Sequence, residues 1–453
     1  MTNLENIETL YFVGIGGIGM SALARYFKML GKNVYGYDKT STELTDELIS
    51  EGIPVVFLDA VSEIPKGVLS KENVLVVRTP AVSQNNSILK FFYSEGFEIV
   101  KRAELLGIIS KNSLCLAVAG THGKTTTSAI LGHLMAECNM PVTAFLGGIA
   151  ENYNSNFIFR GSQIMVVEAD EFDRSFLQLT PDIACVTSMD ADHLDIYGDA
   201  MEVNNAFLTF SRLVDKEENV FIKNDLPLLG MTVAVEEAAD YEAQNIRIVD
   251  GAYCFDLKTP NLRLNNLTYL LPGRHNLLNA VMALGMALRA GASKDCLPEA
   301  LASFRGVKRR FSYKIRTDNL VLIDDYAHHP TELDALFQAV DEMYPEDCKQ
   351  IVFQPHLFSR TRDFGQAFAK SLSQFDEVVL LDIYPAREEP IDGITSQWLL
   401  DQVEAYSKRL VFKSALPEIL LKSKCRIKLL VGAGDIGAEV SSITKKLRYE
   451  TGN

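Results

Sequence analysis

No uninterrupted apolar run in this chain approaches the roughly 20 residues that span a bilayer. Residues 1–10 also lack a basic stretch leading into an apolar one. Membrane insertion is therefore not expected, and a cytoplasmic location is. Cysteine is sparse: Cys115, Cys138, Cys185, Cys254, Cys296, Cys348 and Cys425 stand singly, without the close pairs that zinc sites and redox dithiols use. Buried thiols are expected of them. Positive charge is also short, with 44 Lys plus Arg against 59 Asp plus Glu, a net −15. The summed field repels polyanions, which argues against a nucleic-acid partner and leaves room for a small anion in a glycine-lined pocket. Internal repeats, low-complexity tracts and Ser/Gly linkers are missing as well. With 47% apolar and 23% charged residues the chain is neither disordered nor fibrous.

What is present is a repeated grammar. At 453 residues the chain exceeds what one hydrophobic core usually serves, and three domains are expected. Three times a short apolar run, readable as a buried parallel strand, ends in glycine or acid and passes into a helical pattern. The first strand is expected at 10–13, its helix at 20–30 and a second strand at 34–37 ending at Asp38. The next strand is expected at 114–118 with a helix at 125–135. The third begins near 320–323, with Pro330 suited to the first turn of its helix and later strands at 351–353, 378–381 and 428–431. The pattern divides the chain into 1–107, 108–308 and 309–453, an α/β protein with Rossmann-like first and last domains and a P-loop ATPase-type middle one.

Two glycine loops carry the clearest chemistry. Gly14, Gly16, Gly17 and Gly19 follow a strand and open a helix, and Asp38 lies about twenty residues on, which is the full context of a dinucleotide fingerprint. Such a loop lets a diphosphate approach backbone amides at the positive end of a helix, and this suits any nucleotide diphosphate. The second loop, Gly120-Thr121-His122-Gly123-Lys124-Thr125-Thr126, holds the Gly-Lys-Thr end of a P-loop. Its amides would cradle phosphates, Lys124 neutralise them and Thr125 reach Mg²⁺. Val118 stands where the full pattern has glycine, so the loop is a shortened variant. A third pattern, Gly432-x-Gly434-x-x-Gly437, lies too close to the end for another βαβ unit and reads as a packing turn.

Acids follow two further strands: Glu168, Asp170, Glu171 and Asp173 after 164–167, and Asp190, Asp192, His193 and Asp195 after 183–187. A phosphate-bound Mg²⁺ takes only one or two protein acids. Glu168, first after its strand, and His193 are therefore the expected ligands. Asp170, Glu171, Asp173, Asp190 and Asp195 are expected in solvated loops. Asn276 and Asn279 read equally as helix caps, Lys308-Arg309-Arg310 as a solvated face, and His328-His329 as a core or helix-start feature. His356, Arg360 and Arg362 follow a strand and suit forked binding of a carboxylate.

The order of these motifs, over about residues 10–440, resembles the Mur ligase family, the ATP-dependent amide-forming enzymes of peptidoglycan synthesis. Within that family the early glycine pattern points to the members that add L-alanine to UDP-N-acetylmuramate. So does the stretch 201–214, which lacks the lysine that later members carry in carbamylated form. The resemblance implies a UDP-sugar domain, an ATPase domain and a closing C-terminal domain that brings the amino acid. It implies that Gly120 to Thr126, with Lys124 on the β and γ phosphates, hold ATP. It puts Thr125 and Glu168 on one Mg²⁺, and His193 on a second or on the substrate carboxylate. Asn276 and Asn279 would contact the nucleotide, Arg310 the γ-phosphate and Asp325 the ribose. Gly14 to Gly19 and Asp38 would hold the UDP-sugar, and Tyr326, His328, His356, Arg360 and Arg362 would shape the alanine and muramyl end. Leu357 stands where many members have arginine, and Arg78-Thr79-Pro80 replaces a more usual small polar run. The implied reaction phosphorylates the lactyl carboxylate with ATP, and the alanine amine attacks the acyl phosphate. A monomer or weak homodimer is expected. Three readings compete: a ligase joining a ready-made tripeptide to the same sugar, a dinucleotide oxidoreductase that would leave the P-loop idle, and a nucleotide-binding switch without catalysis.

Overall fold

The computed structural model describes residues 4–190, 197, 199–249, 251–386 and 388–451. Its backbone is organised by three sheets. The first contains β1 (Thr9–Val13), β2 (Asn33–Tyr37), β3 (Val55–Val56), β4 (Val74–Arg78) and β5 (Glu98–Lys101), in the order β3-β2-β1-β4-β5 with parallel pairings. β1 is buried along its whole length, as a parallel strand covered on both faces must be. The Ile18–Met29 helix follows it, and the order reverses between β1 and β4, the crevice where open α/β sheets take ligands.

The second sheet has ten strands. β6 (Leu114–Ala119) lies between β9 (Ile164–Glu168) and β10 (Ile183–Val186), with β7 (Val142–Ala150) and β8 (Ser155–Phe159) beyond β9. β11 (Val220–Lys223), β12 (Met231–Val235), β13 (Tyr241–Val249), β14 (Ala252–Lys258) and β15 (Arg263–Tyr269) extend the other side. The parallel centre puts Glu168 and Thr187 at the carboxyl ends flanking the loop that leaves β6. The third sheet runs β16-β17-β21-β18-β19-β20, with β16 (Ser312–Arg316) antiparallel to β17 (Val321–Asp325). β18 (Lys349–Phe353), β19 (Glu377–Leu380), β20 (Ser407–Leu410) and β21 (Ile427–Val431) are parallel.

By packing, the chain forms two compact units. One comprises Met1–Arg247, Cys254–Tyr269 and Leu278–Phe304; the other comprises Ile248–Tyr253, Leu270–Leu277 and Arg305–Asn453. Within the first unit, one continuous core joins Met20, Leu23 and Phe27 of the Ile18–Met29 helix to Phe145, Phe157 and Val167 of the second sheet. The first two sheets thus share their hydrophobic interior. The second unit has a core on each face of its sheet, one around Ile323, Phe353 and Leu372, the other around Leu322, Leu430 and Ile443.

The cysteines correct the sequence expectation. Cys138 is bonded to Cys296 and Cys348 to Cys425, whereas Cys115 and Cys185 are the buried thiols and Cys254 is half-buried. The partners lie 158 and 77 residues apart, so sequence spacing carried no trace of either pair. The terminal glycine pattern packs as expected of a turn: an added Cβ at Gly432 would meet the Gln354 carbonyl oxygen at 2.7 Å, and one at Gly434 would meet the Tyr384 side chain at the same distance.

Candidate active site

In the first unit the loop after β6 turns through Gly120 at φ +132° and enters the Lys124–Glu137 helix from Gly123, which sits at φ +84°. L-residues avoid this conformation, so the glycine at the helix entry is required by the backbone. A side chain there would also strike Asn279, whose Oδ1 lies 2.6 Å from an ideal Cβ. The loop is fastened to the end of β10: the His122 N–H donates to Ser188 Oγ at 2.7 Å and the Thr121 hydroxyl to the Asp190 carbonyl at 2.9 Å. His122 Nε2 lies 3.2 Å from the Asp190 carboxylate.

Lys124 is not the solvated lysine of an open loop. Its ammonium donates to the Gly120 carbonyl at 2.6 Å and to Glu171 Oε1 at 2.9 Å, and it lies 2.8 Å from Glu171 Oε2 as an ion pair. Glu171 is 3% exposed, which overturns its expected place in a solvated loop. Burial pushes the Glu171 carboxyl above the ordinary carboxylate range, against the pull of the lysine. Burial alone would lower Lys124, but Glu171, Glu168 and Asp170 together hold it above its usual value. The lysine stays charged. Asp170 also has a partner, Arg102 at 3.4 Å, so it too is more than a solvated acid.

The Thr125 hydroxyl donates to Glu168 Oε1 at 3.2 Å, and the Gly147 N–H donates to Glu168 Oε2 at 3.1 Å. A threonine hydroxyl beside a carboxylate at a strand end is a hard-oxygen pair of the kind Mg²⁺ takes. His193, expected beside them, lies outside the described residues with Asp192 and Asp195. Among the described residues no group of three or more His, Cys, Asp or Glu could hold a metal ion.

The first glycine loop lies in the same unit. The Gly16 N–H donates to Asp38 Oδ2 at 2.8 Å and the Thr40 N–H to Asp38 Oδ1 at 3.2 Å, so this carboxylate shapes the loop. Gly19 opens the Ile18–Met29 helix, and an added Cβ there would lie 2.3 Å from Arg102 Nη1. A cavity of about 100 Å³ runs from Ile18 and Gly19, past Arg102, to Gly147 and Glu168.

In the second unit, Asp325 ends β17 and accepts the N–H of Phe311 at 2.7 Å and of Ala327 at 2.8 Å. It thereby fixes the turn that carries Arg309 and Arg310. Both guanidiniums stack over Tyr326, 5.1 Å from the ring centre, so the basic triplet is not a plain solvated face. Arg310 also lies 3.7 Å from Glu332. Glu332 takes the His328 N–H at 2.9 Å, and His329 caps the Pro330–Met343 helix. Burial holds the His328 imidazole below its ordinary value and pushes His275 down to about 4. His356 stacks on Tyr384, lies 6.0 Å from the His328 ring and meets Arg360 at 3.4 Å. Arg362 does not join them; it pairs with its neighbour Asp363 at 2.7 Å. Asn276 donates to the Pro272 carbonyl at 2.7 Å, from within the Arg274–Arg289 helix rather than from its cap. Arg102, Glu332 and Tyr384 escaped sequence reasoning, whereas Glu171 was expected in a solvated loop and is buried instead.

Burial pushes the Asp325 carboxyl up to about 6. Its folded value lies above its unfolded one, so the ionised form costs stability at neutral pH and that cost fades as pH falls through 6. Asp325→Asn should remove this dependence. Wild type should therefore gain about 1 kcal/mol on the variant between pH 7 and pH 5 in denaturant titrations. Parallel pH profiles for the two proteins would refute the assignment.

Fold and loops together define an α/β protein with a glycine loop at a helix start, flanked by strand-end acids. Family models match it in three consecutive stretches: Mur ligase family, catalytic domain, over 9–113; Mur ligase middle domain over 118–287; and Mur ligase, glutamate ligase domain, over 309–426. The chain is 56% identical over 451 residues, 99% of its length and 100% of the relative's, to the UDP-N-acetylmuramate–L-alanine ligase of Christiangramia forsetii. It is 57% identical over 445 residues, 98% and 99% of the two chains, to the protein of the same name from Flavobacterium psychrophilum. The solved UDP-N-acetylmuramate-alanine ligase of Thermotoga maritima superposes with a TM-score of 0.81 at 31% identity, covering 98% of this chain and 100% of that one. A murein peptide ligase from Psychrobacter arcticus shares the fold, with a TM-score of 0.70 at 18% identity and coverage of 97% and 98%. The chain belongs to the Mur ligase family, with that family's three-domain α/β architecture.

Proposed function

We propose that this chain joins L-alanine to the lactyl carboxylate of UDP-N-acetylmuramate, converting ATP to ADP and phosphate through an acyl phosphate. One observation carries the reading: Glu168, which accepts the Thr125 hydroxyl beside Lys124, lines a cavity that also reaches the helix start of the first glycine loop. A phosphoryl donor on one side and a nucleotide sugar on the other would meet there. The full-length relatives carrying the alanine-ligase name support the choice of substrates.

In this scheme residues 1–107 hold the UDP-sugar, 108–308 the ATP and 309–453 the amino acid, in a cytoplasmic monomer or weak homodimer. Gly120 to Thr126 take the phosphates, with Asn276 and Asn279 on the nucleotide, Asp325 on the ribose and Arg310 on the γ-phosphate. Phosphoryl transfer needs mainly alignment and charge neutralisation, which Lys124 and Arg310 supply. Thr125 and Glu168, with His193, would hold Mg²⁺, which when bound neutralises phosphate charge. Tyr326, His328, His356, Arg360 and Arg362 receive the alanine and muramyl end. A neutral His328 suits a site where an ammonium must lose its proton before attacking.

Phosphate release from ATP tests the reading. It should require UDP-N-acetylmuramate and become sustained with L-alanine. Faster turnover with a preformed tripeptide than with L-alanine would favour the recycling ligase instead. The first glycine loop gives a separate expectation. A side chain at Gly16 would meet Thr45 at 2.8 Å and the Asp38 carboxylate at 2.9 Å. Gly16→Val should therefore weaken UDP-N-acetylmuramate by tenfold or more and leave ATP affinity nearly unchanged, as read by calorimetry. Tight NAD binding with none of the UDP-sugar would instead establish the oxidoreductase reading.

A further inference from the structure

We infer that Arg102 binds the lactyl carboxylate and is the residue by which the site distinguishes UDP-N-acetylmuramate from nucleotide sugars lacking that group. This rests on the proposed function. Arg102 begins the Arg102–Ser110 helix directly after β5. Its guanidinium lies flat against the start of the Ile18–Met29 helix, where an ideal Cβ on Gly19 would fall 2.3 Å from Nη1 and 3.2 Å from Cδ. Glycine at 19 therefore makes room for the arginine. The far nitrogen, Nη2, lies 3.4 Å from Asp170 Oδ2, and the other Asp170 oxygen accepts the Phe172 N–H at 3.1 Å. Asp170 is held by its own loop, and it orients Arg102 through a contact long enough to yield to a stronger acceptor.

The cavity beyond the guanidinium shows what that acceptor is. Among the described residues that line it, Arg102 is the one cation, and Glu168 and Asp170 are both acids. Its apolar wall includes Phe145 and Leu146, and at Gly147 an added Cβ would strike the Glu168 carboxylate, so the glycine makes room for that acid. A water needs roughly 10–15 Å³ of such space, so a cavity of about 100 Å³ has room for a carboxylate with a few carbons. An acid entering it meets two like charges and can be neutralised on this side only by Arg102, whose planar fork matches a carboxylate. The cavity runs from the glycine loop to Glu168, which is hydrogen-bonded to Thr125 of the phosphate cradle. The diphosphate, by contrast, would lie against the positive start of the Ile18–Met29 helix. During the reaction a carboxylate oxygen forms a bond to the γ-phosphorus while the bond to the β-bridging oxygen breaks. The carboxylate gives up its negative charge as its oxygen bonds to phosphorus, and Arg102 returns to Asp170.

The test compares UDP-N-acetylmuramate with UDP-N-acetylglucosamine, which shares the diphosphate and lacks the lactyl group. Calorimetry on the full-length protein should show wild type favouring the first. In Arg102→Gln that preference should fall by about 10- to 100-fold, with affinity for the second changing less than threefold. Arg102→Lys, which keeps the charge and loses the fork, should lie between, and it serves if the glutamine variant fails to fold. In turnover, KM for UDP-N-acetylmuramate should rise while KM for ATP holds. Undiminished preference in both variants overturns the inference. Equal loss for both sugars also overturns it, assigning Arg102 to the diphosphate. If wild type binds neither sugar, the proposed function falls as well, so failure of the two is distinguishable.

Discussion

Lys124→Ala is expected to ligate at less than one-hundredth of the wild-type rate, and to be less stable as well. Loss of one charge positioned on the transferring group costs about 3 to 4 kcal/mol of barrier by analogy with single oxyanion donors. The stability effect comes from Glu171. Its carboxylate is nine-tenths or more buried and both its oxygens face the lysine, so truncation strands an acid in a dry site. Breaking such a pair from one side costs several kcal/mol, unless the orphaned acid takes up a proton. The informative variant is therefore Lys124→Ala combined with Glu171→Gln, which removes both charges. The double variant should recover most of the melting temperature and none of the turnover. Turnover above a tenth of wild type in a folded double variant would show that Lys124 does not carry the phosphoryl group.

The same pair shows where sequence reading stops. The strand, loop and helix around Lys124 were legible because buried parallel strands leave continuous apolar runs and the turn demands glycine at fixed places. The identity of the lysine's partner was not. Glu171 stands in a run of acids that composition reads as solvated, and only the turn from Phe172 to Gln178 tucks it under the β6 loop. Asp325 was legible as a strand-end acid, but its role in fixing the Arg310 turn depends on backbone amides that sequence does not display. β14 alternates Tyr253, Phe255 and Leu257 inward, a period of two that a search for βα units passes over. Disulfides and core continuity are set by residues far apart in sequence, and the pairing of Cys138 with Cys296 could not be read from spacing.

Arg25 is the extreme case, since nothing around it in the sequence marks it. It sits in the Ile18–Met29 helix, 6% exposed, with Nε on Glu51 at 3.0 and 2.8 Å and Nη2 on Glu47 at 3.0 Å. Its remaining nitrogen donates to Asn156 of β8, which is fully buried. The Asn156 amide in turn donates to the Ile18 carbonyl and to Ser21 Oγ. One side chain thus ties the helix of the first glycine loop to the second sheet. Burial alone would weaken the guanidinium's hold on its proton, but Glu51 and Glu47 outweigh it and keep Arg25 firmly charged.

Arg25→Ala should therefore cost about 3 kcal/mol, the lower end for one-sided removal of a buried ion pair because Glu51 is partly exposed. The chain's one tryptophan, Trp398, lies in the other unit, so far-UV circular dichroism in denaturant is the measurement that follows the loss. Because Asn156 grips Ile18 at the start of the helix, the variant should also raise KM for the UDP-sugar while leaving KM for ATP alone. Arg25→Met, which keeps the packing of the stem, should recover part of the stability and none of the KM. A loss below about 0.5 kcal/mol in Arg25→Ala, the range of ordinary surface substitutions, would mean that the shared apolar core alone joins the two sheets.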